Sequence, residues 1–303
     1  MCGKIRIINN EKIKYQKPQW VYFSPSQNIE ITHFYHIWPG IKTDIIYIGE
    51  KPNFRFYFAN FNRILFNDFL LDAKNPEEKA IFLGGFEPLI DIIHFKTKKI
   101  DCINQYRLKL TETFGLIELK TILRSPISFD GVLYNIVLDK DFPYINLLFK
   151  IDDHIKGIEN ILELGLHVEI ALLFVKDDRS IDKNILHLAK KLSEINLDIP
   201  IHLVRLTPIT KEVRHSISTG RLTQIWKRFK YLGFRYVYID GLFLFNKNFT
   251  SCHCLGVEKK LLDHHGPWDC LLSPSDSPCL KECNIIGKPT ETVPFLEKKK
   301  ICN

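Results

Sequence analysis

The sequence predicts an α/β fold, a parallel sheet or a βα barrel, because apolar β-branched runs alternate with stretches of helical periodicity. Parallel neighbouring strands need crossover connections, which are usually helices, so this alternation favours a parallel arrangement over a meander. The predicted strands cover residues 44–49, 80–85, 116–123, 131–138, 166–175, 201–206 and 236–239.

Three segments between the strands have the apolar spacing of amphipathic helices. The first covers residues 152–165, where one face carries Ile155, Ile158, Ile161 and Leu162. The second covers residues 180–195, and we expect Ser180 to be its N-cap. The third covers residues 221–233, and Gly233 is expected to end it.

Composition limits the classes of protein to consider. The chain has 303 residues, 45% of them apolar, which is enough for one large α/β domain or two modest ones. Its 42 basic and 35 acidic residues give a net charge of +7 that is scattered over the chain, which does not favour a nucleic-acid surface. No apolar run approaches the ~20 residues of a spanning helix, and the first residues lack a secretory apolar stretch. We therefore expect a soluble, cytoplasmic protein without a membrane partner.

The character of the chain changes twice, which predicts three parts. Residues 1–40 form a β or loop lead-in, residues 41–249 carry the βα pattern, and residues 250–303 form a Cys/His-rich tail. Of the eight cysteines, five lie between residues 252 and 283. Without a secretory signal, such crowding favours a metal over disulfides.

The tail cysteines form two pairs that suit a metal knuckle. The candidate ligands are Cys252, Cys254, Cys279 and Cys283, with Cys270 as an additional candidate. Four thiolates satisfy tetrahedral zinc and equally a [4Fe-4S] cluster, so the residue types leave both metals open, and a tail without metal also remains open.

Residues 34–62, FYHIWPGIKTDIIYIGEKPNFRFYFANFN, resemble the start of the core domain of radical S-adenosylmethionine enzymes. The likeness is closest to the pyruvate formate-lyase activating type and the AmmeMemoRadiSam relatives. Those proteins bind a [4Fe-4S] cluster through three cysteines of a loop after the first strand. This chain keeps the surrounding pattern but has Pro52, Phe56 and Ala59 at the three positions. None of these side chains offers a donor atom to iron.

Two further segments are similar to the same family. FLGGFEPL, with Gly84, Gly85, Glu87 and Pro88, resembles the Gly-Gly-Glu-Pro turn that holds the methionyl amino group of S-adenosylmethionine, although Phe86 is inserted. His202 and Arg205 fit a later Pro-x-His-x-x-Arg-x-x-Pro pattern near the substrate face. Because the likenesses run in order along nearly the whole chain, they imply a full or partial TIM-type βα barrel.

The resemblance leaves two leading hypotheses for function, and the catalytic residues remain unassigned. The first is a non-catalytic or repurposed relative that binds S-adenosylmethionine, a related nucleoside or a protein partner. The second is an active activating or modifying enzyme that acts on a substrate protein, with its cluster held by the C-terminal cysteines. A zinc-bearing nucleic-acid-binding protein is a third and weaker hypothesis.

Overall fold

The computed structural model describes residues 5–6, 12–13, 18–28, 32, 34, 36–38, 41–49, 62–66, 68, 74–85, 87–92, 95–115, 125–138, 150–174, 178–205, 217–240, 251–254 and 257–260. The chain divides into two compact units. The first comprises Met1–Asn28, Lys42–Asn135 and Lys140–Val168. The second comprises Ile29–Ile41, Ile136–Asp139 and Glu169–Asn303.

Unit 1 contains a mixed sheet whose central strands are parallel. Its strands are β1 (Ile5–Arg6), β2 (Lys12–Ile13), β3 (Trp20–Asn28), β4 (Lys42–Ile48), β5 (Asn62–Leu65), β6 (Ala80–Gly85), β7 (Leu108–Thr113) and most of β8 (Gly131–Val137). The order is β5-β3-β4-β6-β7-β8. The pairs β4-β6, β6-β7 and β7-β8 are parallel, whereas β3 is antiparallel to both β4 and β5. Strands β1 and β2 form a separate antiparallel pair. The helices are α1 (Pro88–Asp91), α2 (Thr97–Asn104) and α3 (Ile151–Glu163), with a 3-10 turn at Pro76–Glu78.

Unit 2 contains three parallel strands followed by an antiparallel hairpin. These strands are most of β9 (His167–Phe174), then β10 (Ile201–Arg205), β11 (Tyr236–Asp240), β12 (Ser251–Cys254) and β13 (Val257–Lys260). They pair in the order β9-β10-β11-β12-β13. Its helices are α4 (Asp182–Ile195), which follows a 3-10 turn at Arg179–Ile181, and α5 (Thr219–Tyr231).

The core of unit 1 lies around β6, whose six residues are all buried. A strand covered on both faces reads as a continuous apolar run, which is why AIFLGG identifies it in the sequence. Ile81 and Leu83 belong to one cluster with Leu89 and Ile92 of the α1 region and Ile103 of α2. Burial of each such side chain stabilises the unit by roughly 1.5–3 kcal/mol.

In unit 2 the helices bury one stripe each. Helix α4 buries Ile185, Leu188, Ala189 and Leu192, the three- and four-residue spacing of an amphipathic helix. Helix α5 ends at Tyr231, and Gly233 adopts a φ of +95°, which glycine tolerates without a Cβ penalty. The prediction that Gly233 ends this helix is confirmed.

The α/β class and the parallel core are confirmed, and each predicted strand that falls in the described residues is present. The predicted strand 116–123 lies outside them. Among the described residues, the strands of each unit pair in an order with two ends, so a closed TIM-type barrel is not shown.

Two local predictions fail for identifiable reasons. The N-cap prediction at Ser180 is wrong, because the Asp178 side chain accepts a hydrogen bond from the Ser180 backbone N and α4 begins two residues later. Strand β7 was not predicted, because LKLTET has three polar residues at its end. All three of these residues, Thr111, Glu112 and Thr113, are buried.

Candidate functional site

The last two residues of β6, Gly84 and Gly85, form what is here called the glycine turn of unit 1. They lie beyond the last residue pair between β6 and β7. On one side, β6 stays paired with β4 as far as Ile48 opposite Gly85. On the other side, the pairing with β7 stops at Leu83 opposite Thr111. The carboxyl ends of parallel strands are where α/β proteins bind ligands, so this strand end is a candidate site.

Side chains of β7 and β8 form hydrogen bonds at this end of β6. The Gly85 backbone N donates to Glu112 Oε1 at 2.9 Å, and Asn135 Nδ2 donates to Glu112 Oε2 at 2.8 Å. The Thr111 hydroxyl donates to the Leu83 carbonyl oxygen at 3.1 Å. A buried carboxylate is tolerated only when hydrogen bonds replace its water, and both oxygens of Glu112 have such bonds.

The two glycines are required by packing within the chain itself. A Cβ at Gly84 would lie 2.7 Å from the Phe82 ring and 2.8 Å from the Tyr47 ring. Gly85 has a φ of +151°, and a Cβ there would lie 2.7 Å from the Ile48 carbonyl oxygen. A side chain at either position therefore displaces the turn.

Glu87 places a second buried carboxylate at the same turn. Its Oε2 accepts hydrogen bonds from the Thr113 hydroxyl at 3.0 Å and from the Phe114 backbone N at 3.2 Å. Pro88 follows as the first residue of α1 and brings no backbone N–H. The structure thus brings the sequence-predicted Gly84, Gly85, Glu87 and Pro88 together at one strand end.

Sequence reasoning missed Glu112 and Asn135, which hold the turn from the neighbouring strands. Glu112 lies in the strand that was not predicted, and Asn135 lies in the middle of a predicted one. The available signal was Asn135, a polar residue within the apolar segment GVLYNIV, whereas the polar sequence LKLTET gave no such signal for Glu112. Such a residue is a candidate partner for another buried polar group.

In unit 2, His202 belongs to a buried polar network. His202 Nε2 lies 2.8 Å from Glu169 Oε2, and Glu169 Oε1 accepts from the His36 backbone N at 2.9 Å. His36 Nε2 lies 2.5 Å from the Tyr238 hydroxyl, and the His202 and Tyr238 rings stack at 5.3 Å. These side chains are all nearly or fully buried.

Arg205 does not share the position of His202. They are three positions apart in β10, so the alternation of a strand directs their side chains to opposite faces. Arg205 is only partly buried, and that burial lowers the pKa of its guanidinium group. The cofactor role of both residues stays a prediction, and the geometry does not bring them together on one face of the strand.

Tyr134 of β8 and His154 of α3 form a buried contact within unit 1. The Tyr134 hydroxyl lies 3.3 Å from His154 Nδ1 and fits against Gly115 and Gly157, where a Cβ would lie within 3 Å of that hydroxyl. Burial lowers the pKa of His154 to about 4 and raises that of Tyr134 above its ordinary value. A neutral histidine inside a glycine-lined slot is a packing element of this unit.

The predicted metal residues lie mostly beyond the described ranges. Cys252 and Cys254 are in β12, whereas Cys270, Cys279 and Cys283 are outside the described residues, as are Pro52, Phe56 and Ala59. Within the described ranges, no three His, Cys, Asp or Glu residues are grouped to hold a metal ion. Nor does any helix in those ranges have the length and apolar character to cross a membrane.

Comparison with known proteins gives no assignment: neither a protein-family model nor a curated protein matches this chain significantly.

Proposed function

We propose that this chain is a non-catalytic, repurposed relative of radical S-adenosylmethionine enzymes. In this proposal the glycine turn of unit 1 binds S-adenosylmethionine or a related nucleoside. The observation that carries the proposal is the pair of buried carboxylates, Glu87 and Glu112, at the Gly84–Gly85 turn at the carboxyl end of β6.

The polar groups at this turn suit an amine better than a phosphate. Phosphate sites offer several free backbone N–H groups, usually at a helix N-terminus. Here the Gly85 N–H already donates to Glu112, and Pro88 has no N–H to offer. Carboxylate oxygens accept more than one hydrogen bond, so Glu87 can take a further donor such as an ammonium group.

The residues that would hold the cofactor are Gly84, Gly85, Glu87 and Pro88, with Glu112 behind them as the partner of the Gly85 N–H. When bound, S-adenosylmethionine would supply a methionyl ammonium group and a sulfonium cation. The cofactor role of His202 and Arg205, which belong to unit 2, stays a prediction from the resemblance and is not part of this site.

A cluster at the family's usual loop does not fit this sequence. Iron–sulfur clusters are held by thiolates, and the side chains of Pro52, Phe56 and Ala59 offer no thiolate. The reductive cleavage that such a cluster drives is therefore not part of the proposal. A protein partner that docks on the scaffold remains part of it.

The competing proposal is an active enzyme whose cluster is held by the tail. One observation supports a metal there: strand β12 carries Cys252 and Cys254 and pairs with β11 through Tyr236 opposite Cys252. Two nearby cysteines are the kind of ligand pair that zinc and iron–sulfur sites use, although Cys252-x-Cys254 is one residue shorter than the usual spacing. Zinc would favour the scaffold, whereas a cluster would favour the enzyme.

Calorimetry on the whole chain tests the binding proposal. We expect S-adenosylmethionine to bind wild-type protein and ATP not to bind, because the turn offers acceptors and its Gly85 N–H is engaged. The Gly85→Ala variant should lose at least about tenfold in affinity, since its Cβ meets the Ile48 carbonyl. Equal binding of ATP, or no binding of S-adenosylmethionine at millimolar concentration, would overturn the proposal.

A further inference from the structure

We propose that Glu112 is the positioning residue of the glycine turn. With Asn135 it fixes the Gly85 backbone in the conformation that a ligand meets. The ligand part of this inference rests on the function proposed above, whereas the positioning part stands on geometry within unit 1.

The end of the β6–β7 ladder shows what Glu112 does. The regular register would continue with Gly84 opposite Glu112, one step beyond the last pair. Instead, the Gly85 N–H donates to the Glu112 side chain at 2.9 Å. Because this bond replaces a main-chain bond, the Gly85 backbone is free to adopt its φ of +151° while remaining paired with β4.

Asn135 determines where that carboxylate points. Its amide donates to the other oxygen at 2.8 Å, so the two oxygens are tied to β6 and β8 on either side of β7. Asn135 and Glu112 are both buried, and hydrogen bonds in a low-dielectric interior are stronger than in water. The turn is therefore held by two charge-assisted bonds before any ligand arrives.

Exchanging the carboxylate of residue 112 with the amide of residue 135 distinguishes a role in positioning Gly85 from a general loss of stability. In Glu112→Gln, the new amide oxygen can still accept from Gly85, but the new NH2 finds an acceptor only if the Asn135 amide turns over and moves its oxygen from its present position. In the double variant E112Q/N135D, the glutamine NH2 donates to the aspartate while its oxygen accepts from Gly85. The double variant restores both hydrogen bonds and moves the carboxylate from residue 112 to residue 135.

The experiment follows the Gly85 amide by NMR in protein labelled with 15N-glycine and follows S-adenosylmethionine binding by calorimetry. Glu77→Gln is the matched control, since it makes the same chemical change at an exposed position of unit 1. We expect E112Q to speed Gly85 hydrogen exchange and weaken binding by about tenfold each, the size of one charge-assisted bond. E112Q/N135D should recover part of both losses, because the side chain is again fixed by residue 135 although the bond to Gly85 stays neutral, and E77Q should change neither.

The chemical shift of the Gly85 amide proton in the wild-type protein tests the positioning role without any substitution. A Gly85 amide proton that donates to a carboxylate should resonate downfield of ordinary glycine amides, and an ordinary shift would overturn the positioning role. The role is also overturned if E112Q leaves Gly85 exchange unchanged, or if the double variant performs no better than E112Q. If wild type binds no S-adenosylmethionine, the proposed function fails, and the Gly85 amide still decides the role of Glu112.

Discussion

Single residues in unit 1 show two separate uses of a buried carboxylate. Glu112 lies near the carboxyl end of its strand and holds the glycine turn. Asp44 lies near the amino end of β4, where its oxygens accept from the Tyr106 hydroxyl and the Ser26 backbone N, each at 2.7 Å. Lys79 lies 3.7 Å from the same side chain. In parallel α/β sheets the carboxyl end serves function and the amino end serves stability, so Asp44 is a stability element.

Tyr106→Phe tests that assignment. The hydroxyl that donates to Asp44 is removed, which leaves a buried carboxylate with one donor fewer. We expect the free energy of unfolding to fall by about 1–3 kcal/mol in urea melts. Tyr231→Phe is the control, because the Tyr231 side chain is exposed. Equal stability of the two variants would contradict the role of the Tyr106–Asp44 bond.

Gly85→Ala and Gly165→Ala together separate backbone strain from collision. Both glycines have positive φ, but a Cβ at Gly165 would have nothing within 4 Å, whereas one at Gly85 would meet the Ile48 carbonyl oxygen. Gly165→Ala should cost about 1–2 kcal/mol in unfolding free energy, the cost of the conformation alone. Gly85→Ala should cost more. A smaller cost at Gly85 than at Gly165 would show that the turn relaxes around the added methyl.

At the scale of elements, helix α3 contacts β8 through His154, whose ring nitrogen lies beside the Tyr134 hydroxyl. Burial lowers the pKa of His154 to about 4, below the ordinary value of 6.5, so the folded state binds its proton less tightly than the unfolded state. The resulting stability is fully present above pH 6.5 and is lost as the pH falls towards 4. The loss amounts to roughly 1.4 kcal/mol per pH unit.

Urea melts of wild type and His154→Gln between pH 7 and pH 4 check this prediction. The variant lacks the titrating ring, so its stability should fall less steeply over this range. His187→Gln, on the exposed side of α4, is the control and should follow wild type. Parallel curves for wild type and His154→Gln would mean that another group carries the pH dependence.

Elements with a uniform apolar pattern could be predicted from the sequence, and elements with buried polar residues could not. Strand β6 is buried on both faces and reads as AIFLGG, so its predicted bounds agree with the observed Ala80–Gly85. Strand β7 ends in Thr-Glu-Thr, whose burial depends on partners in other strands. Local pattern contains no information on such partners. The N-cap prediction for α4 failed for a local reason, since Asp178 caps a 3-10 turn through the Ser180 backbone N and α4 follows that turn.

At the scale of the whole molecule, the candidate site was predictable only in part. The glycines and Glu87 form one continuous segment, so a likeness to a known turn was enough to select them. Glu112 and Asn135 come from two other strands, and only the sheet register brings them to that turn. In unit 2, His202 was selected, but its partners His36, Glu169 and Tyr238 were not.

The cysteines of residues 250–303 predict a zinc content for the chain that metal analysis can measure. If Cys252, Cys254, Cys279 and Cys283 form a structural knuckle, protein purified without air should contain one zinc per chain. Cys279→Ser should lose that zinc and keep the unfolding transition of the rest. Cys102→Ser, a thiol on α2, is the matched control and should keep the metal. Zinc retained in Cys279→Ser would remove this cysteine from the ligand set.

The central claim is that the glycine turn still binds S-adenosylmethionine although the cluster loop has lost its thiolates. The most direct test is a calorimetric titration with S-adenosylmethionine of protein prepared without air, with iron measured on the same sample. The account predicts saturable binding by protein that contains no stoichiometric iron. Four irons per chain with a spectrum that shifts on adding S-adenosylmethionine, or no binding at millimolar ligand, would contradict it.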